Sequence, residues 1–202
     1  MANSFINPMP TQHKILEQKY NSSRMNLLLV VVFTAINLVL LVTNSDSYFL
    51  FSAFIPYFIT TMGMLLCGRF PAEFYGGEYN SLQFFGDSFF MVLLAISIVL
   101  MLLYLLAWFM SRKQHVGWLI FALVFFGLDT IGMLFINGFS VESIIDIVFH
   151  GWVIYYLILG ISSHYKLKKL PPEEEISVPF ETATQEALEQ NVEPIVSDTP
   201  EA

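Results

Sequence analysis

Long apolar runs separated by short polar stretches dominate the chain, at residues 25–43, 48–67, 89–110, 116–136 and 141–162. Each run approaches the roughly 20 residues that a helix needs to cross a hydrocarbon layer of about 30 Å. The runs are continuous rather than alternating, which disfavours lipid-facing β-strands. Backbone groups in lipid must be paired, and a helix pairs them within one segment. The pattern therefore predicts an all-α, polytopic membrane bundle of five apolar helices.

The polar flanks divide the chain into three parts. Residues 1–24 form a polar N-terminal segment, in which Thr11 is positioned to cap a short amphipathic helix lying on the membrane surface. Residues 25–165 form the membrane bundle. Residues 166–202 begin with a basic anchor and continue as an acidic tail, which we expect to be disordered. The aromatic loop at 68–88 is too polar for a sixth crossing and is expected to cap the bundle or rest on the interface, with a substrate-gating loop as the alternative.

Composition supports a membrane location and excludes several other classes. Of the 202 residues, 55% are hydrophobic and only 13% are charged, about half the share typical of soluble domains. The net charge of −8 comes from the tail, where nine acidic residues follow position 170 without any Lys or Arg. Nucleic-acid binding is not expected, because it requires a basic face. The chain has no P-loop or GxGxxG motif for a nucleotide.

The positive charges leave the topology open. Five full crossings place four basic residues on one side and five on the other, so the positive-inside rule assigns no orientation. If residues 48–67, interrupted by Pro56, re-enter instead of crossing, eight of the nine lie on one side. We predict a full crossing, with re-entry as the alternative, and a cytoplasmic C-terminal tail at the plasma membrane. The basic clusters are Lys14, Lys19 and Arg24; Arg69; Arg112 and Lys113; and Lys166, Lys168 and Lys169.

Three ionisable residues lie inside the apolar runs, and such residues are candidates for function. They are Asp129 in the fourth run and Asp146 and His150 in the fifth. Asp146 and His150 share a helix face at the i, i+4 step, and an antiparallel hairpin would bring Asp129 level with the gap between them. The sequence therefore predicts one intramembrane polar cluster, with Glu142 and His164 as possible flanking members.

The cluster is compatible with three kinds of chemistry. A hydrogen-bonded clamp between helices is the favoured interpretation. A proton relay is the second, because an Asp–His pair can share a proton. A metal site is the third, although HExxH is absent and His150 is the only mid-span histidine. No catalytic residue, resident metal or cofactor is predicted. Asn37 in the first run is expected to donate a hydrogen bond between helices.

Three stretches resemble a family of small bacterial multi-pass membrane proteins with no assigned activity. They are residues 20–43 (YNSSRMNLLLVVVFTAINLVLLVT), 117–130 (GWLIFALVFFGLDT) and 146–171 (DIVFHGWVIYYLILGISSHYKLKKLP). The resemblance extends to about residue 175 and leaves the acidic tail variable. It implies a bacterial plasma-membrane location and carries no mechanism.

These observations predict a small integral membrane protein of non-catalytic role, which packs against itself or a membrane protein partner within the lipid bilayer. The alternative is a proton-coupled transporter or channel-like protein that uses Asp129, Asp146 and His150. A third possibility is an intramembrane metal-dependent enzyme.

Overall fold

The computed structural model describes residues 11–49, 51–138 and 143–171, with Gly77, Glu78 and Asn80 described by their backbone alone. Glu142, residues 1–10 and the acidic tail from residue 172 lie outside the described residues. The prediction of an all-α bundle with five apolar helices is confirmed, and the described residues contain no strand. The helices are α1 (Gln12–Val42), α2 (Phe54–Leu66), α3 (Asp87–Met110), α4 (Val116–Asn137) and α5 (Ser143–Leu167), with 3₁₀ turns at Ala72–Ser81 and Arg112–Gln114.

Four of the five helices are long and apolar enough to cross a membrane, and α2 is the exception. Its 13 residues rise about 20 Å, well short of a hydrocarbon layer of about 30 Å. The side-chain amide of Asn44, before α2, donates to the backbone oxygen of Arg69, after it, at 3.1 Å. The segment therefore leaves and returns at the same end of the bundle. The predicted full crossing of 48–67 is wrong, and the re-entrant alternative describes the chain.

Pro56 helps to explain why α2 is short. The predicted run placed this proline at the centre of a helix, but α2 begins only two residues before it. In the first turn of a helix the backbone N–H groups have no intrahelical acceptor, so a proline there removes no hydrogen bond. The preceding residues, including Phe51 with φ +68°, are not helical. Pro56 therefore lies at the beginning of the helix rather than at a break in its middle.

The N-terminal residues continue directly into the first span. Thr11 caps α1 as expected, accepting the N–H of Lys14 at 3.5 Å, and the helix then runs unbroken to Val42. The Tyr20 hydroxyl donates to the Ser111 carbonyl at 2.8 Å, and Arg24 Nε donates to Ser111 Oγ at 2.9 Å. Because these bonds hold the start of α1 against the end of α3, residues 12–24 do not form a separate surface helix.

The helices α1, α3, α4 and α5 pack around a main apolar core, and a smaller cluster of Leu41, Met64 and Phe90 lies apart from it. The start of α1 meets the end of α5, where the rings of Tyr20 and His164 lie 5.9 Å apart and Ser23 packs against Gly160. Small residues allow such close contact between helices in lipid. The polypeptide leaves α4 at Gly138, whose φ of +63° favours glycine. The core contains Leu27, Val30, Tyr104, Leu119, Phe126 and Leu157.

Nearly all basic residues lie at one end of the bundle, which we call the basic end. It comprises the start of α1, the α3–α4 connection and the end of α5, joined by the Tyr20 contacts with Ser111 and His164. Eight of the nine Lys and Arg residues belong to these segments. The ninth, Arg69, lies at the opposite end and pairs with Asp87 at 2.8 Å. This is the eight-to-one distribution that re-entry of 48–67 implies.

The aromatic loop covers the carboxyl end of α2. The Tyr75 hydroxyl lies 3.3 Å from the Met64 carbonyl and 3.2 Å from the Leu65 carbonyl. Both carbonyls lie in the last turn of the helix and also accept the backbone N–H groups of Arg69 and Gly68. The Tyr75 ring packs against Phe74, Tyr79 and Phe84 at centroid distances of 5.2–5.7 Å. The loop therefore caps the bundle at the end where α2 returns.

Candidate functional site

Asp129 lies on α4 in the bundle interior, with 1% of its surface exposed. Its two carboxylate oxygens accept the backbone N–H groups of Phe54 and Ile55, each at 2.8 Å. These are the first two residues of α2, whose N–H groups have no acceptor within their own helix. A carboxylate is also favoured at a helix N-terminus by the helix dipole. Asp129 therefore caps α2 from a different helix.

His150 lies beside this cap and is equally buried. Its Nδ1 is 2.8 Å from the Asp146 carbonyl oxygen, and because a carbonyl can only accept, Nδ1 carries a hydrogen. Its Nε2 is 3.4 Å from Asp129 Oδ2, and the ring stacks on Phe126 with centroids 5.0 Å apart. A favourable contact requires one proton between Nε2 and Oδ2, held by either atom. The structure thus brings Asp129 and His150 into one buried pair.

Asp146 forms its hydrogen bond with this pair through its backbone. The i, i+4 step that suggested a shared face places the Asp146 carbonyl against the His150 ring. The side chain, one turn nearer the end opposite the basic end, lines a crevice of about 370 Å³ with Tyr48, Tyr57 and Asn137. Of the predicted cluster, Asp129 and His150 are in side-chain contact, and the half-buried Asp146 carboxylate lies beside them without a hydrogen bond to either among the described residues.

Of the two flanking candidates, only His164 is placed by the structure, and it lies away from the pair. Glu142 lies outside the described residues. His164 lies at the basic end against Tyr20, and its 14-residue separation from His150 corresponds to about 21 Å along α5. His164 therefore belongs to a different region of the molecule.

Two polar residues of α1 complete the support of the re-entrant segment. The Asn37 side chain donates to the Phe49 carbonyl at 2.7 Å and to Ser52 Oγ at 2.9 Å, and its oxygen accepts the Phe49 N–H at 2.8 Å. Thr34 Oγ1 accepts the Ala53 N–H at 2.8 Å. Asn37 was expected to join two helices, but it binds non-helical backbone instead. Thr34 was missed, although its i, i+3 spacing from Asn37 places both on one helix face.

A further buried hydrogen bond attaches α2 to α3. Thr60 Oγ1 donates to Ser97 Oγ at 2.9 Å, and Ser97 donates to the Leu93 carbonyl at 3.1 Å. Irregular backbone at membrane depth is tolerated only where protein or water pairs its polar groups. Side chains from α1, α3 and α4 thus hold the re-entrant segment.

Among the described residues, the Asp129–His150 pair has no third ligand for a metal ion. Across residues 11–49, 51–138 and 143–171, no three His, Cys, Asp or Glu side chains come together in a position to share an ion. Both oxygens of Asp129 already accept backbone N–H groups. The Asp129–His150 pair therefore has the geometry of a helix cap rather than that of a metal centre.

The chain matches no protein-family model, no curated protein and no solved structure. Its function is therefore inferred from the geometry above.

Proposed function

We propose that this is a small integral membrane protein of non-catalytic role, a packing or interaction component of a membrane assembly. The observation that carries the proposal is that the polar side chains buried around the re-entrant segment, Asp129, Asn37 and Thr34, are occupied in holding it. Asp129 uses both oxygens on the start of α2, and Asn37 uses both its amide groups on residues 49 and 52. Such side chains build a fixed scaffold, and the partner is a second copy of the chain or another membrane protein.

We further propose that the basic end faces the cytoplasm of a bacterial plasma membrane. The support is the positive-inside rule together with the placement of eight of nine basic residues at that end. Both termini then lie inside, and the acidic tail follows Lys166, Lys168 and Lys169 into the cytoplasm. The bacterial location rests on the resemblance of residues 117–130 and 146–171.

The scaffold role is tested by oligomeric state and by proton flux in the same preparation. The full chain is reconstituted into nanodiscs for mass measurement and into liposomes containing a pH-sensitive dye. We expect a defined self-complex or a stable monomer, and no protein-dependent proton flux under an imposed pH gradient. Asp129→Asn is the matched variant, because asparagine keeps one acceptor for α2 but cannot exchange a proton. Flux that requires Asp129 would overturn the non-catalytic role.

One observation favours proton-coupled transport as the second candidate. Asp146 lines the crevice of about 370 Å³ and lies one helical turn from the buried His150. An accessible carboxylate next to a buried Asp–His contact is the arrangement from which a relay begins. If this candidate is correct, Asp146→Asn and Asp129→Asn both abolish flux, whereas Glu73→Gln in the aromatic loop does not.

A further inference from the structure

A surface pocket of about 610 Å³ opens at the basic end, between the start of α4 and the end of α5. His115, Gln114, His164 and Lys168 supply its polar lining, and Trp118 and Phe121 form an apolar wall. It lies far from Asp129 along the bundle axis and takes no part in holding α2. The pocket therefore requires its own explanation.

His164, at the end of α5, is a buried residue at this pocket with a ring nitrogen that is unpaired among the described residues. The residue is 4% exposed and is one of the residues that line the pocket. Its buried Nδ1 has no hydrogen-bond partner among residues 11–49, 51–138 and 143–171. Buried polar atoms in native proteins are nearly always paired, and an unpaired one needs an explanation. A polar ligand seated in the pocket would supply hydrogen-bonding groups beside this ring.

The electrostatics of the pocket favour an anion. The 22-residue helix α4 begins at its edge, and His115 at the N-cap forms no capping bond with its side chain. The exposed N–H groups and the positive dipole end of a helix attract phosphate and carboxylate groups. Lys168 follows His164 by one turn. Among the described residues the only acid at the basic end is Glu17, which lies 3.5 Å from the Gln114 amide.

The apolar wall identifies the class of anion. Phe121 is 40% exposed on a helix that faces lipid, and Trp118 lies one turn nearer the membrane surface, where tryptophan is typical. Basic pockets between membrane helices bind anionic lipid headgroups. We propose that this pocket binds the phosphate headgroup of an anionic phospholipid, with an acyl chain extending along Trp118 and Phe121.

Trp118 provides a direct assay of the site. Replacing Trp108 and Trp152 with Phe in the full chain leaves Trp118 as the only one of three tryptophans. Its fluorescence is measured in phosphatidylcholine nanodiscs that contain increasing fractions of brominated phosphatidylglycerol or, separately, brominated phosphatidylcholine. We expect brominated phosphatidylglycerol to quench Trp118 at a lipid fraction at least about five-fold lower than brominated phosphatidylcholine does. The reason is that each basic residue near the surface contributes about 1 kcal/mol to the binding of an anionic lipid.

Matched variants separate the pocket from the general surface charge. Lys168→Gln should remove most of this preference, and His115→Gln, which breaks no capping bond, should weaken it. Lys19→Gln removes an equal charge from the same end outside the pocket and should leave the preference in place. Equal losses in Lys168→Gln and Lys19→Gln, or no preference in the parent protein, would overturn the proposal.

Two further arms distinguish other occupants. Displacement of brominated phosphatidylglycerol by inorganic phosphate, at ionic strength matched with chloride, would identify a soluble phosphate site and overturn the lipid assignment. A preference that develops only after Glu173, Glu174 and Glu175 are replaced with Gln would identify the acidic tail as the occupant and overturn it as well. Retained quenching in both arms supports the lipid.

Discussion

The interhelical cap formed by Asp129 is the most testable feature of this bundle. Asp129→Leu removes both acceptors and leaves the N–H groups of Phe54 and Ile55 unpaired in a site that is 1% exposed. Asp129→Asn keeps one oxygen for Ile55 and places an amide near His150 Nε2, so only the Phe54 N–H loses its acceptor. Asp129→Leu therefore leaves two N–H groups of α2 unpaired, whereas Asp129→Asn leaves one.

The magnitudes follow from the number of groups left unpaired. Each buried donor without an acceptor costs about 1–3 kcal/mol. We therefore expect Asp129→Asn to lower the free energy of unfolding by about 1–3 kcal/mol and Asp129→Leu by about 2–6 kcal/mol. A joint apolar replacement of Asp129 and His150 should not restore stability, because the unpaired groups are backbone N–H groups of α2 and not the partner side chain.

Hydrogen exchange at the start of α2 reports the cap locally. Deuterium uptake of a peptide containing Phe54 and Ile55 is measured by mass spectrometry in nanodiscs, beside a global unfolding measurement in mixed micelles. Since 1.4 kcal/mol corresponds to a factor of ten, exchange in Asp129→Leu should accelerate by at least about 30-fold. Peptides from α3 provide the internal reference.

Asp146→Leu is the matched control, since its carboxylate lines the crevice and accepts no N–H from α2. It should leave exchange at Phe54 and Ile55 unchanged. Protection of the α2 peptide in Asp129→Leu at the parent level would refute the capping role. Equal exchange in the Leu and Asn variants would refute the count of unpaired groups on which the magnitudes rest.

Three other predictions concern the bundle and its topology. Gly160→Ala should cost about 1–3 kcal/mol by overpacking, because a Cβ there meets Ser23, whereas Gly151→Ala has open space and should be neutral or stabilising; unfolding titrations of both variants compare them, and equal stability would contradict the close contact of α1 with α5. Asn37→Leu should accelerate hydrogen exchange around residues 49–53, because three hydrogen bonds are lost; unchanged exchange would show that they do not hold the segment. Reporter fusions at Met9 and Glu174 should both report the cytoplasm, and signals from opposite compartments would restore the full crossing of α2.

Much of the candidate site could be predicted from the sequence. An ionisable residue inside an apolar run is rare and is therefore easily recognised as a candidate site residue. The helical rise alone placed Asp129 and His150 at a similar depth. The sequence could not indicate that Asp146 turns its carboxylate into a crevice. That difference depends on which neighbours leave space beside α5, and Tyr48, Tyr57 and Asn137 come from three separate segments.

The sequence by itself determined that this chain is a helical membrane protein, because continuous apolar runs must pair their own backbone groups in lipid. It also contains the basic clusters, and these assign an orientation only if residues 48–67 do not cross the membrane. Only the tertiary structure decided that α2 re-enters and that Asp129 accepts N–H groups 74 and 75 positions away. The physical reason is that a buried carboxylate binds whichever donors lack an acceptor. Here those donors are the N–H groups in the first turn of α2, and the packing of the bundle determines where that helix begins.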